Sequence, residues 1–432
     1  MVENQNIQEI KKALYDWNFW GAGLPTGVPR EKYTNLVSKK YRESNQVIVI
    51  TGPRRSGKSY VMRQFSKQLI GGGLEPKNTL YMNFEDPRLA KLTSSQLLEV
   101  VNNYKQESVG AGDFVVLLDE IQEIKGWEKS VRTLYETSTA RLILSGSNSR
   151  LLSGELASSL TGRHVDITVY PLSFKEFRDF KNYTTVAAQS DVFLLNSFLE
   201  NGGFPLAVLS QDPKEVLLTY WNDLLEKDLI KRYSIRKDVK FKELAMFYLT
   251  NTSNLITFGK MEKNLGIKSD TVEKYSSYME NAFLMFFPKR FSYKYKETQR
   301  NPKKVYCVDT GLQNFAGFNF SQNLGWKMEN FMFLELMKSQ KFEIKNMHYW
   351  KNDRHKEVDF VVKSENNLEV IQSCWDAQYP RTLEREQNSL LTCLKELSVK
   401  EGTIVTSQTT NETEIDGFKI KTLPVLEWVK NL

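Results

Sequence analysis

Gly52-Pro-Arg-Arg-Ser-Gly57-Lys58-Ser59 is the most informative stretch of the chain. It fits the pattern G-x-x-x-x-G-K-[ST], the loop that wraps the phosphates of a nucleoside triphosphate. The apolar run at residues 46–51 predicts a buried strand before the loop, and residues 60–69 predict a helix after it. This strand–loop–helix setting separates a true phosphate loop from a chance glycine turn.

The chemistry of the loop assigns a contact to each part of it. Glycines let the backbone curl so that its N–H groups point at phosphate oxygens, and the start of the following helix adds a positive dipole end. Lys58 is expected to reach the β- and γ-phosphates of ATP, and the Ser59 hydroxyl is expected to bind Mg²⁺. The predicted nucleotide-binding residues are Gly52, Pro53, Arg54, Arg55, Ser56, Gly57, Lys58, Ser59 and Tyr60.

A second signature is the apolar run at residues 114–118, which ends in Asp119 and Glu120. The run predicts a parallel strand buried on both faces, with the two acids at its carboxyl end, where open α/β sheets bind ligands. Asp119 is expected to hold Mg²⁺, and Glu120 is expected to act as the base or positioning group for the attacking water. Residues 78–84 predict a further strand between the two motifs.

Two later segments offer further catalytic candidates. The strand predicted at residues 141–145 ends in a polar turn, where Asn148 or Ser147 could orient the attacking water. Arg163 precedes another predicted strand and could pair with the phosphates of a neighbouring subunit, with Arg150 as a competitor. An arginine in that role would imply a homo-oligomer.

These motifs resemble those of prokaryotic AAA-type ATPases that have a Gly-Pro-Arg-Arg phosphate loop and a C-terminal domain of unknown function. The runs at residues 117–122, 144–148 and 162–177, the segment at residues 16–20 and the run at residues 302–312 extend the resemblance over most of the chain. The group is similar to STAND-like signalling ATPases. The resemblance implies an AAA-type core with sheet order 5-1-4-3-2, a helical lid, a winged helix and a nuclease-like C-terminal domain.

The composition is that of a globular protein. The 432 residues are 41% hydrophobic and 26% charged, with a formal net charge of +7. The three cysteines show no paired spacing, and the sequence shows no secretory signal and no apolar run long enough for a membrane span. A cytoplasmic location without membrane contact is therefore expected. We predict domains at residues 1–180 (linker and ATPase core), 181–235 (lid), 236–318 (winged helix) and 319–432 (C-terminal domain).

The predicted winged helix contains two charge patterns. Its second helix, from Asp270, carries a net charge of −2 over residues 270–282, which disfavours DNA contact through that helix. The following stretch, Lys289 to Lys304, carries a net charge of +6 with interleaved aromatic residues, which suggests a basic wing that contacts nucleic acid. The alternative is a solvated hairpin that covers a domain interface.

The C-terminal region has an element order similar to the PD-(D/E)XK nuclease fold. Such sites need a helical Glu, an acid on one strand and an acid-x-Lys on the next, which together bind Mg²⁺. Glu329 and Asp359 fit, but the acid-x-Lys positions read Gln372-Ser373-Cys374, and Lys363 is a poor substitute. Cleavage is therefore not expected. The predicted function is a Mg-dependent ATPase that works as a nucleotide-driven switch; the alternative is an ATP-regulated DNA-binding machine.

Overall fold

The computed structural model describes residues 2–138, 140–148, 160, 162–184, 189–294, 301–317, 323–339, 341–364 and 367–432. The chain divides into two compact units, Met1–Tyr170 and Pro171–Leu432. Within the described residues, no helix has both the length and the apolar character that a membrane span requires. The expected domain boundaries within the second unit stay predictions.

The first unit is built on a five-stranded parallel sheet. Its strands are β1 (Val47–Thr51), β2 (Thr79–Asn83), β3 (Phe114–Asp119), β4 (Ala140–Gly146) and β5 (His164–Thr168), in the order β2-β3-β4-β1-β5. Read in reverse, this is the predicted order 5-1-4-3-2, which is thereby confirmed. The described helices are α1 (Val2–Trp17), α2 (Glu31–Glu43), α3 (Lys58–Gly71), α4 (Ser94–Ser108) and α5 (Trp127–Thr137).

Alternation along the strands gives this sheet two buried faces. Val47 and Val49 belong to one hydrophobic cluster, whereas Ile48 and Ile50 belong to the other. Successive side chains of a strand point to opposite faces, so helices must cover both sides of the sheet. With both faces covered, polar side chains at the ends of the strands are the part of the sheet that a ligand can reach.

The segment before α2 covers the edge strand β2. The Asn18 amide donates to the carbonyl of Tyr81 at 2.9 Å, and its oxygen accepts from the Tyr81 N–H at 2.7 Å. Trp20 adds a bond to the carbonyl of Thr79 at 3.2 Å. Because edge strands expose unpaired backbone groups, these side chains replace a missing neighbour strand.

The second unit begins with helices α6 (Phe174–Thr184), α7 (Asp191–Asn201), α8 (Pro205–Leu209) and α9 (Pro213–Asp223), followed by a π-helix over Leu224–Lys231. Next come α10 (Asp238–Thr250), β6 (Leu255–Ile256), α11 (Phe258–Leu265), α12 (Ser269–Asn281), β7 (Met285–Phe286), β8 (Lys303–Lys304) and β9 (Tyr306–Cys307). Strand β6 pairs with β8, and β7 pairs with β9, both antiparallel. The predicted turn between α11 and α12 is present, with Gly266 in the left-handed region.

The remaining elements form a mixed sheet with helices. They are α13 (Thr310–Phe315), α14 (Leu324–Lys338), β10 (Met347–Lys351), β11 (Glu357–Lys363), β12 (Leu368–Cys374), α15 (Pro380–Leu397), β13 (Glu401–Thr406), β14 (Asn411–Ile415), β15 (Phe418–Pro424) and α16 (Val425–Asn431). The strand order is β10-β11-β12-β13-β15-β14. Strands β12, β13 and β15 are parallel neighbours, and the other pairs are antiparallel. Helix α14 brings Glu329 and strand β11 brings Asp359 to the same unit.

Candidate functional site

The loop between β1 and α3 adopts a backbone that its glycines permit. Gly52 has φ 139°, and a Cβ atom added there would lie 2.1 Å from the carbonyl oxygen of Val169. Gly57 has φ 100° and begins helix α3. Only glycine tolerates these angles without strain, and the close approach at Gly52 excludes any side chain. The sequence therefore builds a tight turn directly in front of a helix.

Arg30 holds the loop in place through hydrogen bonds to its backbone. Its guanidinium is buried and donates to the carbonyl of Ser56 at 2.6 Å and to that of Tyr170 at 3.0 Å. Two bonds from one planar group hold the loop against the chain segment after β5. Sequence reasoning missed Arg30, because it lies 26 residues before Ser56 and in no motif.

Lys58, like Arg30, is a buried cation at this loop. It is 3% exposed, and its ammonium donates to the carbonyls of Gly52 at 3.2 Å and Pro53 at 3.1 Å. It also lies 3.5 Å from Oε1 of Glu120. The predicted phosphate lysine and the predicted catalytic acid are thus brought together at the carboxyl end of β1 and β3.

Asp119 lies at the end of β3 and is 1% exposed. The hydroxyls of Tyr81 and Ser145 donate to its two oxygens, and the nearby Ser59 hydroxyl acts to lower the pKa of this carboxyl group. Burial raises the pKa of Asp119 above its ordinary value, and the neighbouring Glu120 carboxylate raises the pKa further. The two residues predicted to bind a metal, Ser59 and Asp119, are therefore near each other.

Glu120 has an unusual backbone. Its φ of 53° and ψ of 46° place a residue other than glycine in the left-handed region. Its N–H donates to the Ser145 hydroxyl at 3.0 Å, and its carboxylate accepts a bond from Gln122. Such strain, held by surrounding bonds, is typical of functional residues.

Ser145 joins the two acids and was not singled out from the sequence. One hydroxyl on β4 accepts from the N–H of Glu120 and donates to the carboxylate of Asp119. The strand order explains this, because β4 lies between β1 and β3. A small polar residue two positions before the predicted Ser147 and Asn148 was the available signal.

The other predicted catalytic residues divide into two groups. Ser147 and Asn148 are buried directly after β4, whose last residue, Gly146, pairs with Thr51 at the start of the loop. Arg163 instead precedes β5, at the amino edge of the sheet, and donates to Glu136 at 2.7 Å. Within this chain, Arg163 therefore does not converge with the loop, and its contact with a neighbouring subunit stays a prediction. Arg150 lies outside the described residues.

The remaining loop residues face outward. Arg54 donates to Glu85, and Arg55 has φ 65°. Tyr60 is 42% exposed, and its ring packs next to Gly27. The Arg63 guanidinium lies over the Tyr60 ring, with its central carbon 5.2 Å from the ring centroid. The N-terminal segment thus contributes to the surroundings of the loop.

Family models and known proteins match this chain over most of its length. A family model described as an AAA domain matches residues 44–178, and two models for domains of unknown function match residues 192–324 and 324–426. An uncharacterized protein of Haemophilus influenzae is 30% identical over 409 residues, which cover 93% of this chain and 98% of that protein. An uncharacterized protein of Methanocaldococcus jannaschii is 34% identical over 375 residues, covering 82% and 80%.

The fold and the site define an AAA-type P-loop ATPase. The chain belongs to this class and, within it, to the same family as the Haemophilus and Methanocaldococcus proteins. Among solved structures, it is similar to the Walker-type ATPase of Pyrococcus abyssi, with a TM-score of 0.46 and 12% identity over 67% of this chain and 95% of that one. The Aeropyrum pernix ORC1 protein in complex with DNA gives a TM-score of 0.33 and 13% identity over 67% and 92%.

The second unit holds a separate cluster of carboxylates around one lysine. The Lys304 ammonium lies 2.6 Å from Asp359, 2.8 Å from Glu329 and 3.1 Å from Glu357, and the side chain is 1% exposed. Tyr306 donates to Glu329 at 2.7 Å. We call these four charged residues the Lys304 cluster.

The cluster corrects two expectations. The sequence places Lys304 on the basic face of a wing, whereas in the structure the side chain is buried and its ammonium lies against the acidic side chains of Asp359, Glu329 and Glu357. A lysine was also judged absent from the acidic site, yet Lys304 supplies one from β8, outside the predicted nuclease-like segment. Lys363, at the end of β11, is exposed.

Electrostatics in the cluster are strongly perturbed. Burial raises the pKa of Glu329 to about 8, with the Asp359 charge as the next cause, while Lys304 and Tyr306 oppose the rise. The neighbouring carboxylates hold the pKa of Lys304 well above its ordinary value, despite the opposing effect of burial. The lysine is therefore a fixed cation. Across the described residues, no group of three or more His, Cys, Asp or Glu side chains is arranged to hold a metal ion.

Proposed function

We propose that this chain binds ATP with Mg²⁺ and hydrolyses it slowly, as a nucleotide-driven switch. The observation that carries the proposal is that the buried side chains of Lys58 and Glu120 lie 3.5 Å apart, with Ser59 and Asp119 next to them in the chain. All four groups lie at the carboxyl edge of the sheet, with Lys58 and Ser59 in the first turn of α3. Such an edge binds phosphates in open α/β folds.

Each residue has a defined task in this proposal. The loop N–H groups bind the phosphates, and the Lys58 ammonium exchanges the carbonyls of Gly52 and Pro53 for phosphate oxygens. Ser59 and Asp119 supply oxygen donors, which suit Mg²⁺, and the ion neutralises charge on the phosphates when it is bound. The ion needs only these two protein ligands, because Mg²⁺ commonly keeps several waters and binds substrate phosphates.

Glu120 accepts the hydrogen bonds of the attacking water in this scheme. Its carboxylate is already oriented by Gln122 and its backbone by Ser145. Asn148 follows the neighbouring strand and is assigned to water positioning together with Glu120. Loss of the γ-phosphate on hydrolysis then removes contacts at the loop, which is how a nucleotide state is transmitted to other domains or subunits.

The test is ATP turnover with Mg²⁺ by the full chain and three variants. Lys58→Ala is expected to lose binding and turnover, whereas Glu120→Gln is expected to bind ATP and not hydrolyse it. Lys67→Ala, on an exposed position of α3, is the control for charge loss and should match the parent protein. Robust hydrolysis by the Glu120→Gln protein would refute the role given to that residue.

The switch itself needs a second measurement. Hydrogen exchange over residues 171–432 and the solution mass are compared with ATP bound to Glu120→Gln and with ADP bound to the parent protein. A switch changes at least one of these between the two nucleotides. Identical exchange and identical mass would leave an ATPase without a switch.

A second candidate function is an ATP-regulated DNA-binding machine, with a degenerate nuclease-like tail that does not cleave. The observation that favours it is Tyr293, which is 76% exposed next to the exposed Lys294, an aromatic and a basic residue side by side. Lys289 and Arg290 are half-buried, and residues 295–300 lie outside the described part of the chain. Salt-sensitive DNA binding that weakens in Lys289→Ala/Lys294→Ala would support it.

The state of the tail is tested with plasmid DNA and Mg²⁺ or Mn²⁺. No cleavage is expected, since Gln372 stands where a carboxylate is needed. Nicking that is lost in Asp359→Ala would refute this part of the proposal.

A further inference from the structure

The second unit contains a cavity of about 560 Å³ between the end of the π-helix and helix α12. Five cations line it: Arg236, Lys237, Lys240, Lys268 and Lys274. Within the part of the chain that the structure describes, no aspartate or glutamate lines it. We call this cavity the basic pocket.

Four of these five cations form no ion pair with a described carboxylate. Lys240 forms an ion pair with Glu243 at 2.8 Å. For Arg236, Lys237, Lys268 and Lys274, no carboxylate lies within 4.0 Å among the residues that the structure describes. Four uncompensated cations around one concavity attract a polyanion, because like charges gathered at a low-dielectric wall focus their field.

Helix α12 sorts its charges between two faces. Thr271, Lys274 and Tyr278 are spaced three or four residues apart and line the basic pocket. At about 3.6 residues per turn, the acids Glu273 and Glu280 lie on the opposite side of the helix from these three residues. Neither of the two acids lines the pocket. The net charge of −2 counted along this helix therefore does not describe the face that the pocket presents.

Aromatic rings form part of the wall. Tyr233 and Tyr278 stack with their centroids 3.8 Å apart and their planes inclined by 7°, and Tyr275 also lines the cavity. The Lys274 ammonium lies 5.9 Å from the centroid of the Tyr278 ring. Aromatic rings next to cations are what proteins use to hold bases and phosphates of a single strand.

We propose that the basic pocket binds single-stranded nucleic acid, with one nucleotide seated in the cavity and flanking phosphates on the surrounding lysines. A stiff duplex cannot enter a concavity, whereas an unstacked nucleotide can. A flat membrane surface would meet the rim only. The site is distinct from the Lys289–Lys304 segment and does not rest on ATP hydrolysis.

The test uses the full chain and a fluorescent oligothymidylate of twelve nucleotides, with ADP present throughout to occupy the phosphate loop. Lys268→Glu/Lys274→Glu is expected to weaken binding at least tenfold and to reduce the salt slope, which is about −0.7 per phosphate contact for a single strand. Lys214→Glu/Lys345→Glu makes the same change in net charge at exposed positions outside the pocket and should bind like the parent protein. Tyr233→Leu should weaken binding and leave the salt slope unchanged, because stacking releases no counterions.

Three results would overturn the proposal. One is absence of oligonucleotide binding at low salt by the parent protein, and another is equal loss in the two charge-reversal variants. The third is displacement of the oligonucleotide by thymidine monophosphate, a duplex or a phosphoserine peptide at matched phosphate concentration, which would assign the pocket to that ligand. ATP turnover of Lys268→Glu/Lys274→Glu without DNA stays at the parent level, so that failure here and failure of the ATPase proposal are separate.

Discussion

Replacing Lys304 by methionine is the sharpest test of how the second unit holds together. Methionine keeps much of the side-chain volume but removes the ammonium that lies within 3.1 Å of three carboxylates. Deleting one partner of a buried charge pair costs about 3–5 kcal/mol, because the remaining charges are left uncompensated. For a unit of this size, we expect the midpoint of thermal unfolding to fall by about 10 °C.

The matched control is Lys351→Met. Lys351 pairs with Glu357 at 2.9 Å, in the same neighbourhood, but its side chain is 28% exposed. Ion pairs that water reaches contribute about 0–1 kcal/mol, so the control should lose little. The double variant Lys304→Met/Asp359→Asn should lose less than the sum of its single changes, because it also removes an uncompensated charge.

The loss of unfolding free energy in Lys304→Met should also depend on pH. The folded-state pKa of Glu329 is raised from 4.5 to about 8, so its contribution to stability is greatest at low pH and is lost as pH rises through that interval. Without the Lys304 cation, ionisation of Glu329 next to Asp359 costs more free energy. The loss of unfolding free energy in Lys304→Met, relative to the parent protein, should therefore grow as pH rises. The raised pKa of Lys304 means that its own contribution is present below its unfolded pKa and is lost as pH rises through the folded value.

Unfolding is followed by calorimetry and by urea titration, with fluorescence as the probe. A deficit below 1 kcal/mol for Lys304→Met, or one equal to that of Lys351→Met, would refute the view that the cluster is a buried, compensated set. A deficit that shrinks as pH rises would refute the assigned direction of the Glu329 pKa.

Three further predictions concern the phosphate loop and its acids. Gly52→Ala places a Cβ atom 2.1 Å from the Val169 carbonyl, so we expect a loss of about 1–3 kcal/mol in the free energy of unfolding and of nucleotide binding, both measurable by thermal shift with and without ATP. Ser145→Ala removes the hydroxyl that donates to the Asp119 carboxylate and accepts from the Glu120 N–H. Turnover should therefore fall at least tenfold at saturating ATP. Unchanged turnover would contradict the role of this hydroxyl. Because burial raises the pKa of Asp119, Mg²⁺-dependent nucleotide affinity should fall as pH is lowered through that pKa, and a titration of a fluorescent nucleotide should show no such fall for Asp119→Asn.

Local signals predicted the regular elements well where they were strong. The continuous apolar runs that became β1 and β3, and the run at residues 60–69 that became part of α3, were identified from the sequence because of their apolar pattern and, for β1 and α3, their position on either side of the loop. The hairpin of β14 and β15 was missed. Its alternating residues are mostly polar and half-exposed, since β14 is the edge strand of its sheet.

Charge counting along the chain was less reliable. The count over residues 289–304 treated Lys304 as surface charge, and the count over residues 270–282 merged two faces of α12. Both errors have one cause, since net charge per segment contains no information about which side of an element each charge occupies.

From the order of its amino acids alone, this chain revealed a phosphate loop, its lysine and serine, and the acid pair Asp119 and Glu120. Those features are readable because they depend on neighbours in the chain and on strand ends that parallel sheets always align. Folding in three dimensions decided the rest: the hold of Arg30 on Ser56, the hydroxyl of Ser145 between the two acids, and the burial of Lys304 among carboxylates 25 and 55 residues away. Such contacts join residues that are far apart in sequence, and a buried charge finds its partners only when the chain has closed around it.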